Sequence, residues 1–312
     1  MKPDAEAQAY LNTRFQPGSK PWRWDPRERN FSHDRYFGSP DPSQLPKDGL
    51  HRPRRLVENQ GATLRCGAYS VAVSNGYLRN TRFHPDWQAI AIGRKQGRPV
   101  DGYGSEPRAC MNSLRDDGSL PWDASSFHLE THGVEQTAYE PYYPVDARTN
   151  AQDNRITAYL GVDEPYDTFD DIRWALFKAY HPSTGTGAVV HAFGRWFDEW
   201  TDPRKGIIPT SYTRFAGWHA YLFIDWTVID GVEYLVAQNS YGTDVGDRGF
   251  LYFPREVINR EFSIWGAALK IPTGALTKEQ IELAKQETTA GRIQRMILEI
   301  WYALSERFGA YA

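Results

Sequence analysis

Cysteine is scarce in this chain: Cys66 and Cys110 are the only two in 312 residues. At most one intramolecular disulfide can form, so the disulfide framework of small secreted folds is excluded, and two reduced thiols are the simpler expectation. Long apolar runs are missing as well. No window approaches the ~20 apolar residues of a spanning helix, and the start, Met1-Lys2-Pro3-Asp4-Ala5-Glu6, lacks the basic and then apolar stretches of a secretory leader. These absences lead us to expect a soluble chain made in a reducing compartment, cytoplasmic or carried inside a particle, with no membrane partner. An excess of charge of one sign is absent too: 36 basic residues face 39 acidic ones, for a net charge of −3, and the charges are interspersed. That gives no electrostatic footprint for nucleic acid. Gly185-Thr186-Gly187 lacks a third glycine and precedes a strand-like run, which argues against a nucleotide loop.

What is present is a folding chain. Hydrophobic residues make up 40% and aromatics 14%, including 11 Trp, enough for a sizeable core. Eight prolines within the first 55 residues, from Pro3 to Pro53, forbid long helices and remove ladder donors. Residues 1–29 therefore read as an extended proline-rich arm, tied down by Phe15, Trp22 and Trp24. From Cys66 to about Asn80 the pattern is helical, with Ala68, Val71 and Ala72 near one face. A second helix is bracketed by Pro121 and Gly133, and a third is marked by Ile172, Ala175, Leu176 and Ala179 behind Asp170 and Asp171. After Gly187 the pattern changes to strands: 188–193, 220–226, 233–238, 249–253 and 266–271, with Asp230-Gly231 as a tight turn. Helices first and antiparallel strands later give an α+β fold of two lobes over residues 30–273. The tail, 274–312, returns to helix: Thr277 and Gln280 form a capping box, and Ile293, Ile297, Ile300, Leu304 and Phe308 form an amphipathic stripe.

The chemistry-bearing residues come in three blocks. In Asn59-Gln60-Gly61-Ala62-Thr63-Leu64-Arg65-Cys66-Gly67-Ala68-Tyr69-Ser70 a cysteine opens a helix, where the helix terminus lowers a thiol pKa from about 8.5 and favours the nucleophilic thiolate. Far downstream come Gly217-Trp218-His219-Ala220-Tyr221 and then Gln238-Asn239-Ser240-Tyr241-Gly242, continuing to Arg248-Gly249-Phe250. Together they resemble the papain family of cysteine peptidases, whose patterns are Gln-Gly-x-Cys-Gly-Ser-Cys-Trp-Ala-Phe-Ser, His-Ala and Asn-Ser-Trp-Gly. The resemblance covers roughly residues 30–272. With Arg35-Tyr36 through Leu45-Pro46-Lys47 as a short lead-in, it points to the propeptide-less bacterial and viral branch. It implies a helical lobe followed by an antiparallel barrel-like lobe, with Cys66 as nucleophile, His219 as base, Asn239 holding the imidazole, and Gln60 at the oxyanion hole. The implied activity is hydrolysis of peptide or isopeptide bonds in polypeptide substrates, with no cofactor and no metal.

Three positions depart from the family pattern: Thr63 stands where a disulfide cysteine is usual, Gly67 replaces the tryptophan beside the nucleophile, and Tyr241 replaces the tryptophan that shields the Asn–His bond. The altered shell, the arm and the tail also suit a second reading, a structural or binding component on a papain-like scaffold, such as part of a virion. In that reading the arm and tail dock on an assembly partner. Cys110 reads as an ordinary thiol. His128 and His132 lie four apart on a helical pattern, but no Glu directly follows His128, so the zinc-protease motif is absent.

Overall fold

The computed structural model describes residues 39–124, 145–156, 158–160, 168–201 and 206–269. Helix α1 runs from Cys66 to Arg79 and stops where Asn80 turns left-handed (φ 57°) and donates its N–H to the Gly76 carbonyl. Two helices follow. Both α2, Pro85–Gln96, and α3, Pro107–Asp116, open with proline, whose fixed φ suits the first helical turn and whose missing N–H is no loss there. The first ends on Gly97 in the left-handed region (φ 71°). Helices α1, α2 and α3 pack around a shared apolar cluster that includes Cys66, Val71, Ile92, Cys110, Met111 and Leu114. The helix expected from Pro121 begins as a single 3-10 turn, Trp122–Ala124, and its remainder lies outside the described residues. Helix α4, Val145–Gln152, and α5, Thr168–Lys178, complete this half; α5 carries Asp170 and Asp171 in its first turn, as its pattern predicts.

The second half is an antiparallel sheet in the order β1-β8-β4-β5-β6-β7, formed by Ala158–Leu160, Phe262–Leu269, Val190–Phe197, Phe215–Ile229, Val232–Gln238 and Phe250–Pro254. A two-stranded ribbon, β2 (Tyr180–His181) with β3 (Thr186–Gly187), stands apart, and a short helix, α6 (Arg255–Glu261), joins β7 to β8. Among the described residues the sheet is open, with β1 and β7 at its edges. The β5–β6 hairpin turns through Asp230 and Gly231, both with positive φ, as the right-handed twist of paired strands favours. Its long strand β5 is the spine of the sheet, pairing β4 on one side and β6 on the other.

The strand register decides which side chains can meet helix α1. Phe193 pairs with Ala220, and both belong to the apolar cluster around Cys66. Because side chains alternate, His219 and Tyr221, together with Trp196 of β4, occupy the other face. The segment before α1 straps this sheet. Leu50 and Arg52 donate their N–H groups to the Asp225 carboxylate (2.7 and 2.9 Å), the Trp226 indole donates to Pro46 O (3.0 Å), and Gln238 donates to Leu56 O (2.8 Å). Gly49 must be glycine here, since a Cβ would fall 2.0 Å from the Trp226 carbonyl at a φ of +96°.

Strand boundaries differ modestly from expectation: β4 starts later and runs further, while β8 starts earlier. The arm, residues 1–29, the tail, 274–312, and the His128 and His132 pair lie outside the described residues. Among the described residues no helix is long and apolar enough to cross a membrane, and no cluster of ligating side chains could hold a metal ion.

Candidate active site

Cys66 is the first residue of α1, so the positive end of the helix dipole lies at its own position. Arg65, immediately before it, offers no side-chain cap. Its guanidinium turns aside to Asp101 (2.6 Å) and Asp86 (2.5 Å). Burial opposes its charge, but the bonds to Asp101 and the fields of both carboxylates outweigh that and raise its pKa. Two carboxylates thus balance this cation, while the helix terminus at Cys66 favours a thiolate. Cys66 is fully buried and not in a disulfide. Cys110, also reduced, lies against the backbone of Gly67: a Cβ built there would come 3.0 Å from its sulfur. Burial, and then the neighbouring Cys66, push the Cys110 thiol well above the ordinary range, so it is an inert core thiol.

His219 lies on β5 opposite Gly194 of β4 and is also fully buried. Three aromatic rings enclose it. Tyr241 stacks on the imidazole at 4.9 Å and 16°, while Trp196 (5.0 Å) and Tyr221 (4.9 Å) meet it edge-on. Its Nδ1 is 3.3 Å from the Tyr241 hydroxyl, and among the described residues its Nε2 has no hydrogen-bond partner. Removal from water disfavours the imidazolium and lowers its pKa to about 3, so the ring rests neutral. Burial pushes the phenols of Tyr221 and Tyr241 well up, and the Cys66 thiol adds to both shifts. Cys66 and His219 are therefore brought to common neighbours: two tyrosines that touch the imidazole also feel the sulfur.

Asn239 follows β6, and its side chain is spent on the backbone. Its Oδ1 accepts the Tyr241 N–H (2.6 Å) and its Nδ2 donates to Gly249 O (2.9 Å). The contact to the His219 Nδ1 comes from Tyr241, not Asn239. Gln60 is buried against the same loop: its N–H donates to Ser240 O (2.7 Å), its Oε1 accepts from the Ser240 hydroxyl (2.6 Å), and its Nε2 donates to Thr63 O (2.7 Å). An amide Nε2 carries two hydrogens, and Thr63 uses one. An isolated bridge between Asn59 and Tyr241, with Gly242 N–H donating to Glu58 O (3.0 Å), clasps the Gln60 loop to the Asn239 loop. Beside them is a cavity of about 10 Å³, lined by Ser70, Ala220, Asn239 and Ser240 among others, with room for about one water.

The motifs named Cys66, His219, Asn239 and Gln60, but not the groups that hold them: Ser240 on Gln60, and Trp196 and Tyr221 around His219. Tyr241 was legible only as a departure. The alternation of β4 could have flagged Trp196, which lies two residues past the Gly194 that pairs with His219.

The family model described as papain family cysteine protease matches residues 108–266, a span that holds His219 and Asn239 and begins after Cys66 and Gln60. Thiol protease aleurain of Arabidopsis thaliana is 25% identical over 221 residues, covering 70% of this chain, and the chain spans 56% of that protein's length. In structure the chain resembles xylellain, a cysteine protease from Xylella fastidiosa, with a TM-score of 0.60, 19% identity and coverage of 82% of this chain and 96% of that one. It also resembles procathepsin B S9 from Trypanosoma congolense, with a TM-score of 0.54, 14% identity and coverage of 85% and 90%.

Proposed function

Because the chain belongs to the papain family of cysteine proteases, we propose that it hydrolyses amide bonds in polypeptides, with Cys66 as nucleophile and His219 as base. The observation that carries this reading is that Tyr221 and Tyr241, the two tyrosines against the buried His219 imidazole, also feel the sulfur of the helix-opening Cys66, while the imidazole Nε2 has no partner among the described residues. A buried polar atom without a partner is costly unless the site uses it, and a ring nitrogen waiting for a proton is such a use. His219 takes the thiol proton, and the thiolate attacks the scissile carbonyl to give a tetrahedral oxyanion. The Cys66 N–H and the second hydrogen of Gln60 Nε2 are the donors for that oxyanion. The imidazolium then protonates the leaving amine, releasing one product and an acyl-enzyme. Water, deprotonated by the neutral imidazole, attacks the thioester carbonyl and frees the second product and the thiol.

A second reading is favoured by one observation, the full burial of both Cys66 and His219: a binding or structural module on the same scaffold, in which the buried pair performs no turnover. Treatment with iodoacetamide at neutral pH, followed by peptide mapping, separates the two. Modification of Cys66, with Cys110 spared and blocked dipeptide amides cleaved, is the expected result. Modification confined to Cys110, or none at all, would sink the peptidase reading.

A further inference from the structure

We propose that Tyr241, rather than Asn239, is the residue that positions the His219 imidazole; this rests on the reading of Cys66 and His219 as nucleophile and base. The position is one where this chain departs from the family motif, and the departure brings a hydroxyl. A tryptophan there can shield a hydrogen bond made by others. A tyrosine can make one. The Tyr241 hydroxyl lies 3.3 Å from Nδ1, and its ring covers the imidazole in an offset stack. The usual alternative is already occupied. Asn239 Oδ1 is committed to the Tyr241 backbone N–H at 2.6 Å, a turn of the Asx kind, and its amide hydrogens go to Gly249 O at 2.9 Å and Val245 O at 3.5 Å. Asn239 thus shapes the loop that presents Tyr241, and acts on the histidine only through it. The tyrosine is held from several sides: Trp196 meets its ring at 5.6 Å, and its backbone bridges to Asn59.

The chemistry follows from the tautomer. With Nδ1–H donating to the Tyr241 oxygen, the Nε2 lone pair is left for the Cys66 proton. In the neutral resting state that hydrogen bond is long. When Nε2 gains the proton the ring becomes cationic, and a charge-assisted bond is shorter and stronger. Tyr241 therefore stabilises the imidazolium more than the imidazole, which is the differential binding that accelerates a reaction. Burial and the sulfur keep the phenol protonated, so no competing phenolate forms. No carboxylate among the described residues is recorded in contact with the His219 ring.

The test compares Tyr241→Phe, which keeps ring, volume and stack, with Asn239→Ala. Between pH 5 and 7 the thiol–imidazole and thiolate–imidazolium forms differ by no net proton. The rate of Cys66 alkylation by iodoacetamide should therefore show a plateau there, its height set by how well the imidazolium is held. Tyr241→Phe is expected to lower that plateau and kcat about tenfold, with KM within about twofold and the melting temperature little changed. Asn239→Ala is expected to lower the melting temperature while its folded fraction keeps the plateau within about threefold. The opposite pattern, with Tyr241→Phe unchanged and Asn239→Ala losing the plateau, overturns the proposal. Should Tyr241→Phe not fold, fluorotyrosine placed at position 241, a weaker acceptor, must lower the plateau in graded fashion, and an unchanged plateau again overturns it. A wild-type protein that alkylates on a plateau but cleaves no peptide rejects the hydrolase reading alone. An ordinary thiol titration with no plateau rejects both.

Discussion

His219 and His191 sit on paired strands, and by several physical measures they are the same residue. Both are fully buried, both have an Nε2 with no partner among the described residues, and burial lowers both pKa values to about 3. Their company differs. His191 is on the face of β4 that packs on α1; its Nδ1 bonds the Ser70 hydroxyl at 2.6 Å, and its ring meets Phe193 at 4.6 Å. Ser70 is one helical turn beyond Cys66, so α1 presents a thiol and a hydroxyl on one face, with a histidine for the second. A serine needs both a base and a group to orient that base, and among the described residues no carboxylate bonds His191. Ser70 and His191 make a strut between helix and sheet, whereas His219 stands among tyrosines that sense a thiol at a helix terminus. Burial and a shifted pKa do not by themselves mark a site; the partner's own chemistry does.

The largest effect that could break this comparison is on turnover. Cys66→Ser is expected to lower kcat on the order of a thousandfold or more, as loss of a nucleophile does, while Ser70→Ala leaves kcat within about threefold. Ser70→Ala should still cost about 1–3 kcal/mol in urea unfolding, since it strips the Nδ1 partner from a buried ring. Equal kinetic losses in the two variants would mean that α1 carries a different nucleophile, or a relay between the pairs.

In stability, by contrast, the two histidines should behave alike. Each has a folded pKa of about 3, below its unfolded value of about 6.5. Above pH ~6.5 both states hold neutral rings and stability is flat with respect to these groups. Below it the unfolded chain binds protons that the native rings refuse, so stability falls as pH drops towards about 3. The slope is about 1.4 kcal/mol per pH unit for each ring, or about 2.7 for the pair. Urea melts between pH 4 and 7 measure it, after subtracting the carboxylate contribution that sets in at the lower end. His191→Gln and His219→Gln should each remove about half of this slope, yet only the second should stop turnover. A wild-type slope of one proton would show that one of the rings is charged in the native protein, and the comparison would fail on that side.

Much of this site was legible before the fold. Cys66, His219, Asn239 and Gln60 could be named as candidates because each is a residue type the proposed chemistry calls for, in the order the papain-like motifs follow. The strands were legible from β-branched and aromatic runs, and the Asp230-Gly231 turn from its need for positive φ. Helix α2 was not, because Gly93, Arg94 and Lys95 blur its apolar period. In α3, by contrast, Arg108, Asn112 and Arg115 recur at spacings of four and three on a polar face, with Cys110, Met111 and Leu114 buried on the other, so its period was there to be read beside its opening proline. The roles within the site escaped for a different reason. Whether Asn239 reaches a histidine or its own loop depends on where Gly249 and Tyr241 place their backbone groups, which is a tertiary fact. The same holds for Gln60, whose side chain is fixed by Ser240 from the far end of the motif set.

The smallest effect sharpens the comparison at the thiol end of α1. Gly67 stands where the family has tryptophan, and the reason is a close approach, not backbone strain. A Cβ at that position would lie 2.6 Å from the Ser105 Cβ, 2.7 Å from its hydroxyl oxygen and 3.0 Å from the Cys110 sulfur. Even alanine must displace a neighbour, so Gly67→Ala is expected to cost about 1–3 kcal/mol by overpacking, seen as a fall of roughly 3–8 °C in melting temperature for a domain of this size. The Ser70–His191 strut, a turn further along, should be untouched, so the acid slope stays at two rings. Because Ser105 Cβ is the nearest obstacle, Ser105→Gly should recover much of the loss when combined with Gly67→Ala, although alone it destabilises. That coupling, about 1 kcal/mol or more in a double-mutant cycle, is the decisive number. Simple additivity would show that the helix yields as a whole, and that the glycine beside Cys66 reflects something other than the packing of α1 on α3.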